Sequence, residues 1–174
     1  TEKPLAGSAE AAAHCAVLAE RAGLPLQTGY FFRTNAAFCA VKDALDQGRL
    51  GTVHEAGMRF AHDGGFAPWL DLDCWMTDPG LACYDGFVDE AVHCIDMLQW
   101  LLGPAREGHA ITGNALGWPV DDHGAAVLTL GSGATATVEA GWTDAAMRIE
   151  LDVVGDRGHA ILRDGELTLF ARGA

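Results

Sequence analysis

The chain has 174 residues and a net charge of −13 at pH 7, with 49% hydrophobic and 20% charged residues. This length and composition predict a globular protein with a buried core. The acidic balance argues against a nucleic-acid partner, which needs a basic surface, and no apolar run approaches the roughly 20 residues that cross a bilayer, so we expect no membrane partner. Five cysteines without a Cys-x-x-Cys pair predict free thiols, mostly buried, in a reducing cytoplasm.

Two helices with a strand between them are predicted at the start of the chain. Residues 8–22 favour a helix, because Ser8 suits its N-cap and Gly23 its end. Residues 26–32 are rich in aromatic side chains and predict a short strand. Apolar residues at helical spacing predict the second helix over residues 34–48.

The remaining elements predict an α+β fold. Alternating residues predict a strand over 52–62, a long irregular segment covers 63–87, and a third helix covers 88–102. Strands joined by glycine-containing turns are then predicted over residues 125–130, 134–142, 147–154, 159–162 and 166–170. We expect a largely antiparallel, open mixed sheet with helices packed on one face.

The third helix carries ionisable side chains where burial is expected. Asp89, His93 and Asp96 share one stripe at positions i, i+4 and i+7, and Trp100 continues it. The other directions are almost entirely apolar after the first turn, so the stripe is predicted to be enclosed, as at many functional sites. Two alternatives remain open: a structural Asp–His pair, or a metal site that lacks an evident third ligand.

Five short motifs, in order, resemble those of the Gfo/Idh/MocA oxidoreductases. They are Glu2-Lys3-Pro4, Gly29-Tyr30 with Arg33, Gly48-Arg49-Leu50-Gly51, Trp75-Met76-Thr77-Asp78-Pro79, and the segment Asp89-Glu90-Ala91-Val92-His93-Cys94-Ile95-Asp96. The resemblance covers residues 2 to about 165. It implies a dehydrogenase that transfers hydride between NAD or NADP and a secondary alcohol of a sugar, polyol or related metabolite.

The resemblance also implies roles for individual residues. Lys3, Asp89 and His93 would be catalytic, with His93 as the general base that removes the hydroxyl proton. Glu2, Lys3 and Pro4 would contact the cofactor, and no metal is implied. The substrate would be contacted by Tyr30, Arg33, Trp75 and Asp96. Phe31 and Phe32 depart from the polar residues usual in the family, which suggests either a less polar substrate or simple packing.

The dinucleotide fingerprint Gly-x-Gly-x-x-Gly follows no strand of this chain. We therefore expect residues 1–33 to be the last helix and strand of a Rossmann-type cofactor domain that precedes Thr1, and residues 34–174 to be a substrate-binding and oligomerisation domain. The chain alone is expected to be inactive, and the parent enzyme to form a homodimer or homotetramer through the sheet face. Alternatives are NAD-dependent glycoside cleavage within the family, and a module for binding or oligomerisation without catalysis.

Overall fold

A computed structural model describes residues 1–172. Its helices are α1 (Ala9–Arg21), α2 (Ala36–Asp46) and α3 (Gly86–Leu102), and Phe31–Thr34 and Trp75–Thr77 form short 3-10 helices. Its strands are β1 (Val53–Ala61), β2 (Ala105–Gly113), β3 (His123–Leu130), β4 (Thr135–Gly141), β5 (Arg148–Gly155), β6 (Gly158–Arg163) and β7 (Glu166–Ala171).

The strands form one seven-stranded sheet in the order β2-β3-β4-β1-β5-β6-β7. Each neighbouring pair is antiparallel except β1 and β4, which are parallel. The carboxyl ends of β1 and β4 therefore lie side by side in the middle of the sheet. The candidate site lies at these two strand ends.

The core lies between α3 and one face of the sheet. Met97 and Leu98 of α3 are fully buried, and Met58 and Phe60 of β1 and Val138 of β4 are also buried in this cluster. The alternation predicted for β1 is confirmed, because Ala56, Met58 and Phe60 point inward while Glu55 is exposed. The expected sheet with helices on one face is thus confirmed, and the opposite, outer face is open to solvent.

Two predictions about secondary structure need correction. Residues 26–30 form no strand, and the chain enters a 3-10 helix at Phe31. A strand requires a neighbour along its length. Apart from local bonds of Tyr30, the backbone here bonds only Thr1 among residues 1–172, through the oxygen of Gln27 (2.8 Å) and the nitrogen of Gly29 (3.0 Å). Strand β2 was not predicted, because it lies at the sheet edge with nearly every residue exposed and so shows no apolar alternation.

The cysteines are free thiols, as predicted, but the expectation that most are buried is wrong. Only Cys94 is buried; Cys83 is exposed and the other three are partly exposed. Burial, followed by the negative charge of Glu90, raises the pKa of the Cys94 thiol and keeps it protonated and unreactive.

Candidate active site

Helix α3 begins next to the carboxyl ends of β1 and β4. The Asp121 carbonyl accepts a hydrogen bond from the Gly86 nitrogen (3.0 Å), and the Asp121 carboxylate accepts one from the Phe87 nitrogen (2.8 Å). A β-carbon on residue 86 would lie 2.9 Å from the Asp121 oxygen and from the Trp142 ring, so glycine permits this close approach. The first turn of α3, which carries Asp89, is thereby fixed against the sheet.

Lys3 and Asp89 form a nearly buried ion pair. The Lys3 Nζ donates to the Asp89 Oδ1 (2.6 Å) and to the Asp89 carbonyl (2.7 Å), and the two side chains are 15% and 11% exposed. The buried indole of Trp142 donates to the second carboxylate oxygen (3.2 Å), and the Tyr84 hydroxyl donates to the Lys3 carbonyl (3.2 Å). The Asp89 carboxylate therefore accepts two hydrogen bonds, one on each oxygen, from Lys3 and Trp142.

His93 lies one helical turn beyond Asp89, inside a box of aromatic rings. Its ring centroid is 5.0 Å from that of Phe31, 5.5 Å from Phe60, 5.6 Å from Phe32 and 6.0 Å from Tyr30. Phe32 and Phe60 are buried, whereas Phe31 is 53% exposed. The His93 Nδ1 is buried and has no hydrogen-bond partner within residues 1–172. Such an atom costs about 1–3 kcal/mol unless a ligand or water fills its demand.

Burial decides the charge of His93. Desolvation, followed by the Lys3 charge, lowers the pKa of His93 from 6.5 to about 4, although Asp89 and Asp96 act in the opposite direction. The imidazole is therefore neutral at pH 7 and can accept a proton.

A second acid–histidine pair also lies next to Phe60. The His62 Nε2 is 3.0 Å from the Glu90 Oε1, and both residues are buried. Because the Gly64 nitrogen donates to the His62 Nδ1 (3.1 Å), the His62 proton lies on Nε2 and is donated to Glu90. His62 follows β1 and Trp142 follows β4, so the ends of the two parallel strands hold the adjacent acids Glu90 and Asp89.

Of the four residues predicted to contact substrate, three contact each other or His93, and Trp75 does not. Arg33 and Asp96 form a two-pronged ion pair, with the Arg33 Nε 2.8 Å from Oδ2 and Nη2 2.6 Å from Oδ1. Tyr30 lies edge-on to His93. Trp75 is half exposed and makes no hydrogen bond or ring contact with these residues in the described part of the chain. The Lys3–Pro4 peptide is cis, and Glu2 is exposed.

No group of three or more His, Cys, Asp or Glu side chains in residues 1–172 is arranged to hold a metal ion. No helix within this range has both the length and the apolar character that a bilayer crossing requires.

Comparison with protein-family models matches residues 38–161 to the GFO/IDH/MocA C-terminal domain. The chain belongs to the Gfo/Idh/MocA family. This confirms the resemblance drawn from the sequence motifs, and the matched range contains β1 and α3, which carry the buried acids and histidines.

Two curated members of the family are similar over part of this chain. Inositol 2-dehydrogenase 2 of Saccharopolyspora erythraea is 32% identical over 109 residues, which is 59% of this chain and 27% of that enzyme. 1,5-anhydro-D-fructose reductase of Ensifer adhaerens is 35% identical over 101 residues, which is 58% of this chain and 29% of that enzyme. The alignments thus span less than a third of either relative.

Solved structures of Gfo/Idh/MocA proteins share the fold. Levoglucosan dehydrogenase, in a complex with NADH and L-sorbose, superposes with a TM-score of 0.89 at 21% identity, over 99% of this chain and 51% of that one. The WlbA dehydrogenase of Bordetella pertussis, in a complex with NADH and UDP-GlcNAcA, gives 0.82 at 22% identity, over 99% and 55%. The chain spans about half the length of these proteins.

Sequence reasoning missed four residues that build this Gfo/Idh/MocA site. Glu90 was hidden among the first-turn residues of α3, and His62, Trp142 and Asp121 lie in segments that carry no local motif. The signal that was available is positional, because His62 and Trp142 are each the last residue of a predicted strand. Only the parallel pairing of β1 with β4 shows that these two strand ends meet.

Proposed function

We propose that this chain is the substrate side of an NAD(P)-dependent dehydrogenase that oxidises a secondary alcohol of a sugar, polyol or related metabolite. The observation that carries the proposal is the state of His93: a neutral, buried imidazole with an unpartnered Nδ1, one turn from a carboxylate held by Lys3. The sugar and polyol dehydrogenases among its relatives support the same class of substrate.

His93 acts as the general base in this proposal. With its pKa near 4, the imidazole is unprotonated at neutral pH and accepts the hydroxyl proton as the carbinol carbon loses hydride. The Lys3 ammonium stabilises negative charge that develops on the substrate oxygen. Asp89 orients Lys3 and the substrate hydroxyl, and Trp142 fixes the carboxylate that performs this task.

The residues of this chain fit one wall of a nicotinamide site. The half-exposed Phe31 ring lies at the box around His93, and Glu2, Lys3 and Pro4 lie next to it through the Lys3–Asp89 contact. NAD or NADP, when bound, supplies the hydride acceptor. Residues 1–33 are proposed to belong to the cofactor domain and residues 34–174 to the substrate domain.

Tyr30, Arg33, Asp96 and Trp75 are proposed to contact the substrate. The Arg33–Asp96 pair fits this role because both charged groups lie beside Tyr30 and the half-exposed Arg33 can exchange a carboxylate contact for a substrate hydroxyl. The pair also has a structural role, because it joins the 3-10 helix of Arg33 to helix α3. A matched Arg33→Lys variant separates the two roles, because lysine keeps the charge and loses the two-pronged geometry.

The outer sheet face is proposed to join copies of the protein into a dimer or tetramer in the cytoplasm. It exposes Ile111, Val127 and Phe170 among charged side chains such as Glu139. Analytical ultracentrifugation of the full-length protein is expected to show a homo-oligomer, and Val127→Glu to shift it towards the monomer. A wild-type monomer would contradict this part of the proposal.

The central test uses the full-length protein with NAD or NADP and a panel of sugars and polyols, followed by the absorbance of reduced nicotinamide. Reduction of the cofactor is expected, and His93→Ala is expected to lower turnover by roughly two to four orders of magnitude. Turnover like that of wild type in this variant contradicts the base assignment. Glycoside cleavage without net cofactor reduction would instead reveal the NAD-dependent glycosidase alternative.

A further inference from the structure

The long segment between β1 and α3 presents a tryptophan beside the site that the proposed mechanism does not use. Trp69 is 54% exposed, and its ring centroid lies 4.8 Å from that of His62 at an interplanar angle of 63°. Its indole nitrogen donates to the Asp63 Oδ1 (3.1 Å). The polar atom of the indole is therefore satisfied, and what the side chain offers to solvent is apolar ring surface.

Trp69 lies in a loop, but the residues that it contacts are held by hydrogen bonds. His62 is buried and paired with Glu90, and its backbone nitrogen donates to the Gly141 carbonyl (3.0 Å). The Gly65 nitrogen donates to the Trp142 carbonyl (2.7 Å), which ties the start of the loop to the residue that holds Asp89. A ring fixed in this way loses little conformational entropy when a ligand binds to it.

The position of Trp69 connects it to the reacting end of the site. The centroid of the Phe60 ring lies 5.5 Å from that of His93 and 6.4 Å from that of His62, and the Trp69 ring contacts His62. His62, which the Trp69 ring contacts, is hydrogen-bonded to Glu90, the residue next to Asp89. Ring contacts therefore connect Trp69 to His93 through His62 and Phe60.

We propose that Trp69 is a stacking platform for a sugar ring of the substrate and that Asp63 accepts a hydroxyl of the same ring. This inference rests on the proposed function, and it names the two side chains that would hold the substrate ring. The apolar face of a sugar ring matches an exposed indole, and a carboxylate is the natural acceptor for the hydroxyls at its edge. Within residues 1–172, the Asp63 Oδ2 makes no hydrogen bond, so it is free for this contact.

The test compares Trp69→Ala, Trp69→Phe and Asp63→Asn in the full-length enzyme, with Phe66→Ala as the control. Phe66 is more exposed than Trp69 (68%), lies in the same loop and makes no ring contact with His62 in the described chain. For cyclic substrates from the panel, Trp69→Ala is expected to raise KM about five- to tenfold, with kcat changed less than about twofold. Trp69→Phe restores most of the affinity, Asp63→Asn raises KM, and Phe66→Ala leaves KM unchanged.

A second measurement separates failure of this inference from failure of the proposed function. Saturation-transfer NMR with D-glucose, levoglucosan and myo-inositol reports binding without turnover. Trp69-dependent binding in a protein that reduces no cofactor would support the platform and refute the dehydrogenase. Cofactor reduction with the same KM in wild type and Trp69→Ala, or a KM increase in Phe66→Ala as large as that in Trp69→Ala, overturns the platform alone.

Discussion

Acidification should destabilise the protein through His93. The folded state holds the pKa of His93 at about 4, against 6.5 in the unfolded chain, so between these values the unfolded state binds more protons. The contribution of the neutral imidazole is therefore fully present above pH 6.5 and is lost as the pH falls towards 4. At about 1.4 kcal/mol per pKa unit, the loss reaches about 3 kcal/mol, a large part of the stability of an ordinary domain.

The assay is urea unfolding, followed by tryptophan fluorescence, at several pH values between about 7.5 and about 4.5. His93→Gln is the matched variant, because glutamine has no charge to gain while other carboxylates titrate alike in both proteins. The wild-type free energy of unfolding is expected to fall more steeply than that of the variant, by about 3 kcal/mol over the range. Two curves that run parallel would refute the conclusion that His93 is buried in its neutral form.

Three further substitutions test the surroundings of Asp89. Trp142→Phe removes the indole donor to the Asp89 carboxylate and should cost about 1 kcal/mol in urea unfolding; an unchanged stability contradicts the contact. Asp121→Ala removes the acceptor for the Phe87 nitrogen and should cost about 1 kcal/mol. This is more than for the control Asp85→Ala, whose side chain makes no capping bond to the helix and accepts only a long bond from the Asp121 nitrogen (3.4 Å). Lys3→Met removes one cause of the lowered pKa of His93, so an NMR titration of its ring should give a higher pKa; an unchanged value contradicts this cause.

The elements that pack on the core could be predicted from the sequence, since burial of one face leaves a period in the residues. This holds for β1, with its inward Ala56, Met58 and Phe60, and for α3, with its apolar surroundings. It fails for β2, which is exposed on both faces and therefore carries no period. It fails again for residues 26–32, where a local preference for strand finds only Thr1 as a pairing partner.

The candidate site divides in the same way. Asp89 and His93 lie on one helix, so the period of that helix places them together without further information. Lys3 is 86 residues from Asp89 in sequence, so no local pattern predicts their contact. The family resemblance was the reason to place the two residues in one site. The contacts of His62 and Trp142 depend on the pairing of β1 with β4, and no local pattern of residues determines which two strands become neighbours.

The neutrality of His93 among three acids follows from how each acid is used. Asp89 is engaged by Lys3 and Trp142, and Asp96 by Arg33, so neither offers a bare charge to stabilise an imidazolium. Glu90 accepts a hydrogen bond from His62. Desolvation in the aromatic box, followed by the Lys3 charge, therefore outweighs the negative charges of Asp89, Asp96 and Glu2 and lowers the pKa of His93. Lys3, Trp142 and Arg33, which engage the two acids of α3, therefore help to keep the imidazole of the proposed base neutral.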